Sequence, residues 1–348
     1  MPQMLVTGGA GFIGSHAAVY FSQRGYQVTV LDNLSRGRLL KRDDPNADFN
    51  WNYLSTQPGI ELIKGDVRDA DALAGPVGKV DVILHAAAQT AVTTSTVDPE
   101  TDFMSNALGT FRVLEAARRS GRKPTVIFCS TNKVYGENVN TIEVLEDERR
   151  YRFPPQWQAG IPESFSIDHC EHTPYGCSKL TGDIYMQDFA HLYGLKTGVF
   201  RMSCIYGTRQ FGMEDQGWVA WFVIAALSGK PITIFGDGKQ VRDVLWVEDL
   251  LRAYEAFIET GKGGKVLNMG GGAGYTLSLL ELLELIKSET GITPEISYAD
   301  WRPSDQKVYI SDIGAAGDEL NWNPTVDPRE GVRRLIAWTQ KNISLFQV

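Results

Sequence analysis

The 348-residue sequence has little cysteine and no long apolar stretch. Its four cysteines, Cys129, Cys170, Cys177 and Cys204, show neither a CxxC pair nor the spacing of a disulfide framework. No apolar run approaches the roughly 18 residues of a membrane-spanning helix. The amino-terminal residues MPQMLVTGG lack the pattern of a secretory signal peptide. We therefore expect a soluble, cytoplasmic protein with reduced thiols and no membrane partner.

Basic residues are also in the minority, with 34 Lys and Arg against 42 Asp and Glu, a formal net charge of −8. No block rich in Lys and Arg stands out, so nucleic acid is not an expected partner. An anionic small ligand remains compatible with this balance, because a few arginines placed in a cleft suffice to bind one. The sequence has no internal repeat and no low-complexity segment.

Strand-like and helix-like segments alternate in residues 1–203. The strand-like runs are MLVTGG, VTVLD, IELIKGD, DVILHAAA, TVIFCS and KTGVFRM. Helical stretches are predicted at residues 15–24, 106–119 and 175–192. Continuous apolar strands that alternate with helices are typical of a parallel sheet covered on both faces. We predict an α/β fold with a Rossmann-type doubly wound parallel sheet.

Shorter segments separated by glycine-rich turns follow residue 203. They predict a smaller α/β substrate lobe over residues 204–348, interleaved with the first domain. Within the first domain, residues 137–173 form a polar stretch that contains Pro154, Pro155 and Pro162. This stretch is too long for an ordinary connection, so we expect a functional insertion or lid.

The motif TGGAGFIG follows the first strand and opens the first helix. Gly8, Gly11 and Gly14 leave room for a tight turn, for a pyrophosphate against backbone N–H groups and for close helix–strand packing. A simple βα turn is the alternative interpretation. The second strand, however, ends in Asp32, 18 residues after Gly14. A carboxylate there favours a dinucleotide site, because it can bind the adenosine ribose hydroxyls.

The choice between NAD and NADP depends on the same region. Asp32 repels a 2′-phosphate, whereas Arg36 and Arg38 could accept one. We give the carboxylate at the strand end more weight and predict NAD. Ligands in such sheets bind beyond the carboxyl ends of the strands, where Asp66 and Val67 and then residues 86–88 lie. For Asp66, a turn or helix cap is the alternative.

A tyrosine and a lysine lie four residues apart in the motif PYGCSK. Tyr175 and Lys179 therefore share one face of the predicted helix. A tyrosine must lose about 3 pKa units, or about 4 kcal/mol, to act as a base near neutral pH. An ammonium ~4 Å away at an effective dielectric of ~20 supplies an interaction of that size. With Thr131 at the end of a neighbouring strand, the three residues can abstract a hydroxyl proton while a hydride leaves the same carbon.

These motifs together resemble the extended short-chain dehydrogenase/reductase superfamily of nucleotide-sugar epimerases and dehydratases, over nearly the whole chain. The motifs STNKVYG, PYGCSK, YGTRQFG, DQGWVAWF and RPSDQ are similar to its CDP-paratose 2-epimerase branch. The resemblance implies that Tyr175 is the general base and acid, that Lys179 holds the nicotinamide ribose and lowers the pKa of the tyrosine, and that Thr131 binds the reacting oxygen. The expected NAD contacts are Gly8, Gly11, Phe12, Ile13, Gly14, Asp32, Asn33, Ser35, Arg36, Asp66, Val67, Ala86, Ala87, Ala88, Gln89, Asn106, Tyr175, Lys179 and Arg201.

The two residues after Thr131 distinguish between reactions. In the dehydratases of this superfamily, an Asp-Glu pair at these positions removes water from the sugar. Asn132 and Lys133 stand there in this sequence and cannot act as that acid–base pair. The resemblance therefore implies epimerisation, and the branch places it at C2 of a CDP-sugar. A capping asparagine and a solvated lysine are the alternative interpretation of this pair.

The resemblance also implies a clamp on the substrate diphosphate by Arg242 and Arg302, since guanidinium groups suit phosphate oxygens. Ion pairs with Asp243 or Asp305 are the alternative for these arginines. Galactose-type epimerases carry an asparagine where RMSCIYG places Ser203 or Cys204, which argues against simple UDP-galactose 4-epimerase activity. The expected substrate contacts are Thr94, Ser95, Thr131, Asn132, Lys133, Ser203, Gln210, Phe211, Gln216, Trp218, Arg242 and Arg302.

Three hypotheses remain beside this one. The motif HCEHTPYG could be drawn as a metal site, but adjacent donors such as His169, Cys170 and His172 rarely converge on one ion, so we expect no metal. A 4-epimerase or a net reductase is a second enzymatic hypothesis, and a catalytically silent nucleotide-binding module a third. By analogy with relatives of the fold, we expect a homodimer or homotetramer formed by the helices after Asn106 and from Tyr175.

Overall fold

A computed structural model of the chain describes residues 1–39, 46–302 and 304–346, and the side chain of Arg38 lies outside the described part. The chain divides into two units. Unit 1 consists of residues 1–134, 173–201 and 251–267. Unit 2 consists of residues 135–172, 202–250 and 268–348. Of the stretch 137–173, expected to be an insertion in the first domain, residues 137–172 thus belong to unit 2, and a segment after residue 250 returns to unit 1.

The strands and helices have the following bounds. The strands are β1 (Gln3–Thr7), β2 (Gln27–Asp32), β3 (Ile60–Lys64), β4 (Val82–His85), β5 (Thr125–Thr131), β6 (Leu145–Glu146), β7 (Tyr151–Arg152), β8 (Thr197–Met202), β9 (Cys204–Tyr206), β10 (Ile232–Phe235), β11 (Val241–Trp246), β12 (Lys265–Met269), β13 (Thr276–Ser278), β14 (Ile296–Ala299) and β15 (Val308–Tyr309). The helices are α1 (Phe12–Ser22), α2 (Arg36–Leu39), α3 (Phe49–Ser55), α4 (Ala70–Val77), α5 (Val92–Val97), α6 (Pro99–Phe103), α7 (Gly109–Arg119), α8 (Thr173–Tyr193), α9 (Trp218–Ser228), α10 (Val247–Thr260), α11 (Leu279–Thr290), α12 (Gly314–Leu320) and α13 (Pro328–Lys341).

Unit 1 is built on a seven-stranded sheet with the order β3-β2-β1-β4-β5-β8-β12. Strands β3, β2, β1, β4 and β5 pair in parallel. The order reverses between β1 and β4, which is the position where ligands bind in doubly wound sheets. The predicted α/β class and Rossmann-type sheet are confirmed.

Apolar residues of the strands and of the covering helices form the core of unit 1. Strands β1, β4 and β5 carry Leu5, Ile83 and Phe128, which are fully buried. Helices α7 and α8 cover this part of the sheet with apolar residues such as Leu114 and Met186, which belong to the same cluster. Burial of each large side chain stabilises the unit by about 1.5–3 kcal/mol. Helix α8 is thereby fixed against the carboxyl end of β5.

Unit 2 contains small sheets flanked by helices. Strand β11 pairs with β9, β13 and β15, and β10 pairs with β14 in parallel. The segment of residues 137–172 is fastened here by backbone hydrogen bonds: the N–H of Tyr151 donates to Lys239 O at 2.9 Å and that of Ile161 to Ile310 O at 2.7 Å. A role of this segment as a lid stays a prediction. In the described ranges, the helices are all too short or too polar to cross a membrane.

Candidate active site

The glycine loop is shaped by close contacts that leave no room for side chains. Gly8 has φ +69°, and a Cβ there would lie 2.5 Å from the backbone N of Ala87 and 2.7 Å from the carbonyl carbon of Ala86. A Cβ at Gly14 would meet the backbone of Gly8 and Gly9. The loop after β1 therefore packs directly on the residues after β4, and α1 packs directly on the loop. The tight turn at Gly8 and the close packing at Gly14 are two of the roles that the motif predicted for its glycines, and the contact with a pyrophosphate stays a prediction.

The amino terminus of α1 is suited to an anion. Gly11 is the N-cap residue, and no side chain forms a capping hydrogen bond there. The helix begins with the hydrogen bond from Ser15 N to Gly11 O at 3.0 Å. The backbone N–H groups of Phe12 and Ile13 precede that first hydrogen bond, and the helix dipole favours negative charge beside them. The loop fits the pyrophosphate of a dinucleotide.

Asp32 supports the glycine loop from the end of β2. Its Oδ2 accepts a hydrogen bond from Ala10 N at 2.9 Å, and its Oδ1 accepts one from Leu34 N at 2.8 Å. Burial raises the pKa of Asp32, and these backbone N–H groups oppose the shift. The two hydrogen bonds thus hold the carboxylate in a fixed orientation at the end of β2. A group that recognises a ribose hydroxyl needs such a fixed orientation. The ribose contact itself stays a prediction.

Asp66 follows β3 and is tied to its own turn and to the loop after β2. Arg68 donates to it from Nε at 3.0 Å and from Nη2 at 2.7 Å, and Asn33 Nδ2 donates at 2.9 Å. The guanidinium holds the pKa of Asp66 at about 2. The N–H of Arg68 also donates to Asp66 Oδ1 at 2.9 Å, which is the turn interaction considered as the alternative. Contacts of Asn33, Ser35, Arg36, Asp66 and Val67 with the adenosine stay predictions.

Thr131, Tyr175 and Lys179 come together at the carboxyl end of β5. Thr131 ends the strand and is 7% exposed, and α8 packs on that strand with Tyr175 9% and Lys179 3% exposed. Ser95 Oγ accepts a hydrogen bond from Tyr175 N at 3.2 Å, which fixes the first turn of α8. Thr131 Oγ1 accepts from Lys133 N at 3.2 Å and donates to Asn132 Oδ1 at 3.3 Å. The structure therefore gathers the three residues predicted to be catalytic.

The ionisation of this cluster differs from the expectation. The pKa of Tyr175 is raised to about 12: burial is the largest cause, the Thr131 hydroxyl opposes it, and Asp102 and Cys129 act in the same direction as burial. Lys179, predicted to lower this pKa, is not among the groups that shift it. Burial lowers the pKa of Lys179 itself to about 8. The expectation considered only the attraction between the Tyr175 phenolate and the Lys179 ammonium. Burial is the larger influence on both pKa values, because each charged form is costly to remove from water.

A bound dinucleotide fits this arrangement. The Lys179 ammonium lies 4.2 Å from the centroid of the Phe128 ring, beside the buried tyrosine. The positive charge of an oxidised nicotinamide, placed near Tyr175, would favour the phenolate that the protein alone disfavours. The catalytic cluster and the glycine loop both lie in unit 1, as one dinucleotide site requires.

A carboxylate below the cluster was missed by the sequence analysis. Asp183 is fully buried, lies eight residues after Tyr175 on α8, and accepts a hydrogen bond from Ser130 Oγ at 2.9 Å. Arg201 donates to it from Nε at 2.9 Å and from Nη2 at 3.2 Å. Its spacing from Tyr175 and Lys179 was the available signal, since the three positions follow one another at i, i+4 and i+8. A cofactor contact by Arg201 stays a prediction.

The residues after β4 form a second buried group with α8. Gln89 N donates to Asn106 Oδ1 at 2.8 Å, and Asn106 Nδ2 donates to Gln89 O at 3.0 Å and to Ser178 Oγ at 3.0 Å. Gln89 and Asn106 were predicted as cofactor contacts, and the structure uses their amides to connect β4 to α8. Ser178 and the neighbouring Asp102 were not singled out, because neither belongs to a recognisable motif.

The two arginines predicted to bind the diphosphate lie in unit 2 and have carboxylate partners there. Arg242 Nη2 donates to Asp305 Oδ1 at 2.6 Å, which is the ion pair weighed as an alternative. Arg302 Nη2 donates to Asp215 Oδ1 at 2.8 Å, and its guanidinium lies 3.9 Å from the centroid of the Phe235 ring. A diphosphate clamp by both arginines stays a prediction.

Other predicted substrate residues in unit 2 have mainly internal contacts. Phe211 is 8% exposed and packs on Trp338 and Phe346, with ring centroids 6.1 and 5.6 Å away. Trp218 Nε1 donates to Cys204 Sγ at 3.3 Å. These contacts are those of core residues. Roles of Phe211 and Trp218 in a sugar pocket stay predictions. Contacts of Ser203, Gln210 and Gln216 with substrate stay predictions, as does that of Thr94 in unit 1.

The HCEH segment forms a local turn in unit 2. His172 Nε2 lies 2.7 Å from Ile167 O, and Cys170 Sγ lies 3.6 Å from the same nitrogen. Over residues 1–39, 46–302 and 304–346, no group of three or more His, Cys, Asp or Glu side chains has the arrangement of a metal site.

Comparisons with known proteins agree with this geometry. A model of the NAD dependent epimerase/dehydratase family matches residues 4–270. The CDP-paratose 2-epimerase of Salmonella typhi is 39% identical over 346 residues, covering 97% of this chain and 99% of that protein. Among solved structures, UDP-glucose 4-epimerase from Thermotoga maritima with UDP-glucose has a TM-score of 0.81 at 32% identity, covering 98% of this chain and 99% of that one.

A second solved structure contains the cofactor. UDP-glucuronic acid 4-epimerase from Bacillus cereus, in complex with UDP-glucuronic acid and NAD, has a TM-score of 0.81 at 26% identity, with 98% and 99% of the two chains covered. The family match extends from the glycine loop through the Thr131, Tyr175 and Lys179 cluster. This chain belongs to the NAD-dependent epimerase/dehydratase family, and NAD is its cofactor.

Proposed function

We propose that the protein is an epimerase that inverts C2 of a CDP-hexose through a transient 2-keto sugar. The proposed pairs are CDP-paratose and CDP-tyvelose, or CDP-glucose and CDP-mannose. The observation that carries the proposal is the pair Asn132 and Lys133, which follows the catalytic Thr131 where dehydratases need two carboxyl groups. The 39% identity to a CDP-paratose 2-epimerase supports the choice of nucleotide and carbon.

Tyr175 moves the proton in this reaction. Its phenolate takes the proton of the C2 hydroxyl, and its phenol later returns that proton to the oxygen of the new epimer. Bound NAD would supply the acceptor for the hydride of C2 and the donor for its return, with no net change of the cofactor. Because burial is the main cause that raises the pKa of Tyr175 to about 12, the protein without cofactor keeps the phenol protonated, and the positive charge that oxidised NAD would supply favours the phenolate needed in the first half of the cycle.

Thr131 and Lys179 orient the reacting groups. The Thr131 hydroxyl, held at the end of β5 by its contacts with Lys133 N and Asn132, donates to the same sugar oxygen. The Lys179 ammonium lies one helical turn after Tyr175 and binds the nicotinamide ribose. Burial keeps both side chains away from bulk water, which strengthens their interactions with the bound ligands.

The absence of an acid–base pair after Thr131 determines the fate of the keto sugar. Asn132 and Lys133 cannot both remove a ring proton and protonate a leaving hydroxyl, so the intermediate keeps all its oxygen atoms. Inversion then requires only that the sugar present its other face before the hydride returns. We propose that Arg242 and Arg302 hold the diphosphate while the sugar turns, because rotation about the bonds to the phosphate leaves the nucleotide in place.

A second candidate is a 4-epimerase acting on a UDP-sugar, favoured by the similarity to the enzyme of Thermotoga maritima. The sequence Ser203-Cys204, where galactose-type epimerases have an asparagine, argues against it. A net reductase would consume the reduced cofactor in proportion to product. A catalytically silent nucleotide-binding module would have no use for the gathered Thr131, Tyr175 and Lys179.

We also propose a cytoplasmic homodimer or homotetramer. Helix α8 leaves Ile184, Leu192 and Tyr193 exposed at 50%, 62% and 42%, and Phe103 at the end of α6 is 55% exposed. Large apolar side chains exposed together are typical of an interaction surface. Light scattering after gel filtration measures the mass, and a monomer of 38.6 kDa at micromolar concentration would contradict the assembly.

The function is tested with a substrate panel. The purified protein is incubated separately with CDP-paratose, CDP-glucose, UDP-glucose and UDP-galactose, and products are identified by proton NMR. We expect C2 epimers from at least one CDP-sugar and no product from the UDP-sugars. C4 epimers from the UDP-sugars would establish the second candidate instead.

A further inference from the structure

Asp102 is a buried carboxylate that the reaction described above does not use. It lies in α6 and is 1% exposed. Its Oδ1 accepts hydrogen bonds from Gln89 Nε2 at 3.0 Å and from Asn106 Nδ2 at 3.1 Å. Its Oδ2 is also buried and has no hydrogen-bond partner among the residues that the structure describes. A buried carboxylate oxygen without a partner is costly, so its retention needs an explanation.

The donors to Asp102 connect it to the catalytic helix. Asn106 lies in a π-helical turn, residues 104–108, between α6 and α7. Its Nδ2 also donates to Ser178 Oγ, and Ser178 in turn donates to Tyr175 O at 3.0 Å. Ser178 stands in the sequence directly before Lys179. The carboxylate is therefore two hydrogen bonds away from the residue between the catalytic tyrosine and lysine.

The surroundings of Asp102 contain few other charges. The elements packed against α6 are α5, the π-helical turn and α8. Helix α5 and the π-helical turn carry no ionisable side chain, whereas Tyr175 and Lys179 on α8 both interact with the charge of Asp102. Cys129 on β5 also acts on both groups, Asp183 on α8 acts on Lys179, and Cys177 on α8 is exposed. Glu100 on α6 itself is exposed. The field of the buried carboxylate consequently acts on the two catalytic groups with little screening.

We propose that Asp102 is a positioning residue of this active site: anchored by Gln89 and Asn106, it fixes the first turns of α8 through Ser178 and sets the proton affinity of Tyr175 and Lys179. The inference rests on the proposed function only for the role of Tyr175 as a base. The carboxylate itself touches neither substrate nor cofactor in this proposal.

The sign of the effect follows from the charges. A negative Asp102 raises the pKa of Tyr175 and also that of Lys179. It thus favours the ammonium that holds the ribose and the phenol that returns the proton. Burial raises the pKa of Asp102 itself, while Ser178, Lys179 and Gln89 oppose that shift and support its charged form. Removing the charge should let Tyr175 ionise at lower pH.

The test measures Tyr175 directly and needs no sugar. The phenolate absorbance of the NAD-loaded protein is titrated from neutral to about pH 12, so that the window reaches the raised pKa of Tyr175. The sequence has 13 tyrosines, so each curve is corrected with the matching Tyr175→Phe protein. Asp102→Asn keeps the shape of the side chain and removes its charge. Glu100→Gln, which removes an exposed charge from the same helix, is the control.

We expect Tyr175 to titrate lower by about half a pH unit or more in D102N, and at the wild-type midpoint in E100Q, as one poorly screened charge should produce. Asp102→Ser serves the same comparison if D102N does not fold, because water can then bind Gln89 and Asn106. An equal midpoint in wild type and in the charge-free variant, or no titration of Tyr175 in any of them, overturns the proposal. Since no substrate is present, neither result depends on which sugar the enzyme takes.

Discussion

Asp183 and Arg201 form a buried ion pair next to the proposed catalytic residues, with N–O distances of 2.9 and 3.2 Å. Their side chains are 0% and 5% exposed. The same carboxylate accepts a hydrogen bond from Ser130, the residue before Thr131. The pair therefore joins α8, β8 and the end of β5, the elements that position the catalytic side chains or support them.

Breaking this pair should destabilise the protein. In Asp183→Asn the Arg201 guanidinium loses the charge of its carboxylate partner in a buried site, which costs about 3–5 kcal/mol for a buried pair. Urea denaturation followed by circular dichroism measures the loss. The control is Arg122→Gln, which breaks the exposed pair with Asp81 and should cost less than about 1 kcal/mol. Equal losses in the two variants would show that burial of the Asp183 pair has no energetic consequence.

Replacing Tyr175 with phenylalanine should remove catalysis and keep cofactor binding. The variant loses the proton-transfer group, and general acid–base catalysis contributes about 10²–10⁴-fold to rate. Product formation is followed by NMR, and NAD binding by calorimetry. Tyr185→Phe, at an exposed tyrosine on the same helix, is the matched control and should keep wild-type rates. Full activity in Y175F would remove Tyr175 from the mechanism.

Burial of the charged Lys179 ammonium should lower the free energy of unfolding at neutral pH. Burial lowers its pKa from 10.5 to about 8. Between these values the unfolded chain binds the proton and the folded chain does not, so stability rises with pH across that window. Below about pH 8 the full cost of burying the ammonium is present, roughly 3 kcal/mol at about 1.36 kcal/mol per pKa unit.

The comparison that isolates this cost is wild type against Lys179→Met without cofactor. K179M should be inactive yet more stable than wild type at pH 7, and its advantage should shrink as pH rises from about 8 to 10.5. Urea denaturation at several pH values measures the difference. A difference in stability that does not change with pH would mean that Lys179 titrates at its ordinary value in the folded protein.

Arg242→Gln should weaken substrate binding and leave the chemical step intact. If Arg242 binds the diphosphate, its loss raises KM by about tenfold or more, because a guanidinium–phosphate contact is worth about 1.5–3 kcal/mol. The value of kcat should change little, since the diphosphate interaction is the same in the ground state and the transition state. Arg333→Gln, which breaks an exposed pair with Glu289, is the control. An unchanged KM in R242Q would leave Arg242 as the partner of Asp305 alone.

The fold and the catalytic cluster were predictable because they follow from local rules. Strands that are apolar throughout predict a parallel sheet, and parallel strands end at one edge, where Thr131 and the residues after β4 lie. The spacing of Tyr175 and Lys179 places them on one side of α8 whatever that helix contacts. Gly8 and Gly14 predict close approaches between backbone segments. In the structure, Gly8 lies against the backbone of Ala87, and Gly14 lies against that of Gly9.

The roles of Asp102, Asp183 and Ser178 depend on packing and could not be predicted. Ser178 meets Asn106 across 72 positions of sequence, and Asp183 meets Ser130 across 53. No sequence motif predicts contacts between residues that lie so far apart in the chain. The pKa of Tyr175 was misjudged for the same reason, since the cost of desolvation depends on how completely the surrounding side chains exclude water. The position of Phe211 could not be predicted either, because the sequence does not distinguish an aromatic side chain that lines a ligand pocket from one that packs in a core.

The central claim, inversion at C2 by internal hydride return, is tested most directly in deuterated water. The protein is incubated with CDP-paratose and, separately, with CDP-glucose, and the sugar is followed by proton NMR. The account predicts a C2 epimer that keeps hydrogen at C2, because the hydride leaves and returns without meeting solvent. Deuterium at C2 would indicate enolisation instead of hydride transfer. Inversion at C4 with C2 unchanged would contradict the account.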